Sequence, residues 1–98
     1  MDTQKLIEKI VKAINFAYKS DGTKPGLTIS YINSSKGAKY YTSIVRWING
    51  EKTVVVSHSE PTLQKALLEL SIKFIDQSTP VSNPIYELAG YLIDKNYY

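Results

Sequence analysis

No cysteine occurs in the 98 residues, and histidine and tryptophan occur once each. Without cysteine there are no disulfides, no thiol nucleophile and no cysteine-bearing zinc pattern, in keeping with a cytoplasmic setting. No apolar run approaches the roughly 20 residues a membrane span requires, so no membrane partner is expected. The N-terminus is amphipathic and broken by Glu8, without the apolar core or small-residue cleavage site of a signal peptide. A phosphate loop is lacking as well. Gly22-Thr-Lys-Pro-Gly26 has neither the GKS or GKT ending nor a preceding strand, and reads as a turn. Internal repeats, low-complexity tracts and domain linkers are missing, so residues 1–98 are expected to form a single α+β domain.

What is present is an ordinary globular composition, 43% hydrophobic and 21% charged, with a net charge of +3. The charge is unevenly spread. Residues 1–58 hold nine basic residues against Asp2, Glu8, Asp21 and Glu51, whereas residues 59–98 hold Lys65, Lys73 and Lys95 against five acids. The front half is therefore at +5 and the back half at −2, a mild bias toward an anionic partner.

The clearest local signal is Asn49-Gly50, a type I′ turn pair whose two residues both adopt positive φ. Counting outward pairs Ile48 with Glu51, Trp47 with Lys52, Arg46 with Thr53, Val45 with Val54, Ile44 with Val55 and Ser43 with Val56. One face of this Ala38–His58 hairpin then carries Tyr41, Val45, Trp47, Val54, Val56 and His58. The other carries Tyr40, Thr42, Ile44, Arg46, Ile48, Thr53 and Val55. Both are too apolar for two solvated faces. A strand over Leu27–Asn33, joined through Ser34-Ser35-Lys36-Gly37, pairs antiparallel with the hairpin. If Asn33 faces Ala38, then Leu27, Ile29 and Tyr31 join Tyr40, Ile44 and Val55 on the core side. A one-residue bulge reverses that assignment, because side chains alternate with period two.

Helical periodicity marks Lys5–Lys19, with Leu6, Ile7, Ile10, Val11, Ile14, Ala17 and Tyr18 on one face, Asp2 or Thr3 as cap and a Glu8–Lys12 pair. A second helix follows Ser59 as N-cap with Pro61 in its first turn. Its stripe is Leu63, Ala66, Leu67, Leu70, Phe74 and Ile75, widened by Leu68 and Ile72. Thr79-Pro80 ends it. Asn83 caps a short third helix that opens with Pro84 and presents Ile85, Leu88, Ala89, Leu92 and Ile93. Too weak to stand alone, it must dock on this subunit or on another. The expected order is α-β-β-β-α-α, a three-stranded antiparallel meander packed by helices.

Chemistry is sparse. His58 could serve as a general base beside a serine or as half of a metal pair with Glu60, but Ser57 and Ser59 point to the opposite face from it. A strand-end histidine without a catalytic role is the favoured reading. Glu60, Glu69 and Asp76 read as solvated helix charges. No catalytic residue, metal ligand or cofactor is assigned. Tyrosine is the unusual count, eight of 98, a residue that combines rigid apolar area with a polar handle. Tyr31 and Tyr40, opposite in register, together with Arg46 form the binding-capable cluster, with Trp47, Lys36 and Lys39 as further candidates. The C-terminal Asn96-Tyr97-Tyr98 is either a frayed tail or an oligomer contact.

The order helix, three antiparallel strands, helix over roughly residues 3–76 resembles the double-stranded-RNA-binding domain, which implies RNA read by shape across the minor groove. Where that family has lysines at the start of its second helix, this chain has Ser59-Glu60-Pro61-Thr62. The same order recurs in small inhibitors of mobile genetic elements. The leading expectation is a non-enzymatic, phage-like inhibitor or adaptor that acts by protein–protein contact through the second sheet face and the last helix, and that self-associates, most simply as a homodimer. The alternatives are a nucleic-acid module using Lys5, Lys9, Lys12, Lys36, Lys39 and Arg46, and an oligomeric sequestrant of a small anionic nucleotide.

Overall fold

A computed structural model of the chain describes residues 2–18, 23–77 and 83–97. The elements run α1 (Thr3–Ala17), β1 (Lys24–Ser34), β2 (Gly37–Ile48), β3 (Glu51–Glu60), α2 (Leu63–Gln77) and α3 (Asn83–Asp94). This is the expected α+β order, and the three strands form one antiparallel sheet in sequence order. The Asn49-Gly50 turn adopts the two positive φ values its residues favour, 53° and 81°.

The ladder between β1 and β2 sets Asn33 opposite Ala38, Tyr31 opposite Tyr40 and Leu27 opposite Ile44. Between β2 and β3 the pairing follows the turn out to Val45–Val54, then shifts by one, so that Ile44 faces Val56 and Thr42 faces His58. Val55 is the extra residue of a bulge. The bulge corrects the uninterrupted register expected from the turn: Val56 and His58 lie on the same side as Ile44 and not with Trp47. Val55 and Val56 both pack on the core. Bringing a second, partly buried valine against the core beside the buried one, where strict alternation brings one, is what the extra residue achieves.

Leu6, Ile10 and Ile14 of α1, Leu67, Leu70 and Phe74 of α2, and Ile85, Leu88 and Leu92 of α3 join Ile44 and Val56 in one buried cluster. All three helices therefore lie on the same side of the sheet. The shortest dimension, 20 Å, fits this one-sided layering. α3 rests mainly on α1 and α2, so the short helix finds its support within its own chain. Val45 is buried on the far side and stands outside that cluster.

Element ends differ from the sequence reading in instructive ways. α1 starts at Thr3 because the Asp2 carboxylate accepts the Lys5 amide at 3.3 Å. Lys12 meets Glu87 of α3 at 3.4 Å, across helices instead of along its own. α2 is not capped by Ser59, since β3 pairing continues through Ser59–Tyr41 and Glu60–Tyr40. Pro61 stops the strand, and Thr62 caps the helix through its hydroxyl, which accepts the Lys65 amide at 3.3 Å. α3 begins one residue early, at Asn83. The expected stop at Thr79-Pro80, the Asn83 capping side chain, Lys19 and Tyr98 lie outside the described residues.

Candidate functional site

The six candidate binding residues divide among three places. Tyr31 and Tyr40 meet as expected, edge to face with ring centroids 5.0 Å apart. They sit on the helix side of the sheet but near the β1–β2 tip, beyond the helices, and Tyr31 is 57% exposed. Arg46 shares their side but lies six residues along β2, about 20 Å away at ~3.3 Å per residue. Its guanidinium rests 4.5 Å from the Tyr18 ring centroid, and its Nε donates to the Thr23 hydroxyl at 3.3 Å. It holds the end of α1 against the sheet. Lys36 occupies the tip turn, its amide donating to the Ser34 hydroxyl. Lys39 and Trp47 belong to the other side.

That other side, away from the helices, is built by the ladder itself. Cross-strand pairing sets Lys24, Trp47 and Lys52 in one row. The next row, Gly26, Val45 and Val54, leaves Val54 diagonal to the indole, and both Trp47 and Val54 are 47% exposed. Toward the tip come Thr28 with Ser43, whose hydroxyls are bonded to each other, then Ser30 with Tyr41, and Ile32 with Lys39. Every carboxylate on a described strand, Glu51 and Glu60, falls on the helix side by register. The open face thus presents an exposed indole, Trp47, with the half-buried Tyr41 further along, branched aliphatics, a band of hydroxyls and three lysines.

Lys24 and Lys52 were not among the candidates. The Trp47–Lys52 pairing was readable from the Asn49-Gly50 turn, and extending the β1 alternation back from Leu27 would have added Lys24. The glycine and proline beside it concealed that extension.

His58 Nε2 and Glu60 Oε1 lie 2.9 Å apart, both side chains largely buried on the helix side. Among the described residues no group of three histidine or carboxylate side chains could hold a metal ion. Thr42, fully buried, donates to the His58 carbonyl at 2.9 Å and approaches the Ala66 carbonyl at 3.4 Å, so this corner ties β2, β3 and α2 together. A shallow depression lined by Thr62, Gln64, Lys65, Leu68 and Tyr97 lies at the start of α2. It brings together one cation and no carboxylate or imidazole.

On α3, Tyr86, Ile93 and, just past its end, Tyr97 are exposed, while Ile85, Leu88 and Leu92 face inward. No described helix is long and apolar enough to cross a membrane. No family model matches the chain, nor does any curated protein or solved structure.

Proposed function

We propose that this protein acts by binding alone, docking the open face of its sheet onto an acidic-rimmed surface of a protein partner and so inhibiting or recruiting it. The observation that carries this reading is the row Lys24–Trp47–Lys52, an exposed indole between two lysines on a face to which the described strands bring no carboxylate. Interfaces concentrate their binding energy in such aromatic anchors and surround them with a polar rim. Val54 beside the indole favours a protein over a nucleic acid, because a branched aliphatic side chain brings neither a donor for phosphate nor a ring on which a base can stack. The exposed stripe of α3 is a secondary contact in this scheme. The test is affinity capture from an extract of the cell that makes the protein, using wild type, W47A, K52E and, as a control away from both contacts, Asn15→Ala on the exposed side of α1. A protein captured by wild type, lost with W47A and K52E and folded normally in each variant is the expected result. A capture profile indifferent to both substitutions overturns it.

A second reading rests on the same row. Lysines that track a backbone beside an aromatic ring on which a base stacks are how single strands are held without sequence preference. This use of the sheet face departs from the double-stranded-RNA reading, whose lysine-bearing helix start is here occupied by Glu60, Pro61 and Thr62. It predicts affinity for single-stranded oligonucleotides that falls steeply with salt as counterions are released. Absence of binding at low salt removes it.

A further inference from the structure

The two edges of the sheet are treated differently. The β3 edge carries the devices that discourage strand pairing: charges at both ends in Glu51, Lys52 and Glu60, a bulge at Val55, and a carbonyl, that of Ser57, already accepting from Lys73 of α2 at 3.0 Å. The β1 edge has none of these beyond Lys24-Pro25 at its start. From Pro25 to Ser35 no residue is charged, in a chain that is 21% charged overall. Every residue from Ile29 to Lys39 is exposed, so the helices do not reach over this part of the hairpin. Ile29, Tyr31 and Ile32 along it are 40%, 57% and 41% exposed. An uncharged, apolar, β-prone edge left open is a template for a further strand.

We infer that the strand that pairs there is β1 of a second copy of this chain, antiparallel about a two-fold axis, giving a six-stranded sheet in the order β3-β2-β1-β1-β2-β3. Pairing across a two-fold sets a strand against itself, so it requires that no like charges meet, and the uncharged stretch satisfies that condition along its whole length. A two-fold perpendicular to the sheet also keeps both helix layers on one side, and the exposed half of β1 lies clear of them. Closure follows from the contrast between the edges. Once the β1 edges are joined, only the protected β3 edges remain, and association stops at two. The seam uses neither Trp47 nor the lysines beside it, so the dimer stands or falls independently of the binding function proposed for the open face.

The experiment is light-scattering chromatography of the full chain from micromolar to millimolar concentration, on wild type, the Ile29→Lys, Tyr31→Lys double variant and W47A. Wild type and W47A are expected at twice the 11.1 kDa chain mass, and the double variant at half that value with an unchanged circular dichroism spectrum. Hydrogen exchange on wild type alone supplies the second readout, with β1 amides losing protection on dilution while α2 amides do not. A wild-type monomer throughout the range overturns the proposal. So does a dimer that survives the double substitution, dissociates in W47A, or grows into larger polymers.

Discussion

Ile44 of β2 stands opposite Val56 of β3, not opposite Val55, because β3 holds one residue more than β2 between this pair and the Asn49-Gly50 turn. That extra residue decides the identity of the core. It turns Val56 and the His58–Glu60 pair toward the helices while leaving Val54 beside Trp47 on the open face. Deleting Val55 removes the bulge but leaves Val56 opposite Ile44 and His58 opposite Thr42, because the turn then pairs them in an uninterrupted ladder. What is lost is one partly buried valine, so the expected cost is below that of Ile44→Ala, itself about 2–5 kcal/mol for a buried aliphatic. Urea unfolding of the two variants checks the order, and a deletion costlier than the alanine substitution would mean that the bulge itself is needed.

Capping separates the observed start of α2 from the one that composition favours. Thr62→Ala is expected to cost about 0.5–2 kcal/mol, the usual value of a lost N-cap, as is Asp2→Ala at α1. Ser59→Ala should fall well below the Thr62 value, since Ser59 is a strand residue paired with Tyr41. Thermal melts of the three variants decide it.

Two buried hydroxyls should behave unequally. Thr42→Val keeps the shape but removes the donor that ties β2 to the His58 carbonyl, and is expected to cost about 1–3 kcal/mol because a buried acceptor loses its partner. Ser71 donates back to Leu67 within its own helix at 2.7 Å, a bond that adds little to helix stability. Ser71→Ala should change stability by less than about 1 kcal/mol. Equal effects in denaturant titrations would show that Thr42 does not bridge elements.

Double-mutant cycles test how the aromatic residues are grouped. Tyr31 with Tyr40 should couple by about 0.5–1.5 kcal/mol, and Arg46 with Tyr18 by about 0.5–2 kcal/mol through the cation–π contact. Arg46 with Tyr40 should be additive within about 0.5 kcal/mol, as expected for residues so far apart. A sizeable Arg46–Tyr40 coupling would restore the single cluster that residue types alone propose.

The sequence by itself determined the element order, because each signal was local: hydrophobic spacing for α1 and α2, Asn49-Gly50 for the second hairpin, and a hairpin-sized polar loop at Ser34–Gly37 for the first. That Tyr31 faces Tyr40 was legible only on the condition that the first hairpin closes with Asn33 opposite Ala38, a condition the structure fulfils. What only the tertiary structure decided was non-local. A bulge has no strong sequence signature when the candidates are three consecutive valines, Val54, Val55 and Val56. Which of them turns inward is settled by packing against α2, the helix that lies over β3. The cap of α2 depended on how far β3 could continue pairing with β2, which no property of Ser59 reveals. Arg46 was drawn away from the tyrosines by Tyr18, a residue 28 positions earlier in the chain, brought near only by the docking of α1. The row Lys24–Trp47–Lys52 likewise exists only in the assembled sheet, where three strands remote in sequence set their side chains side by side.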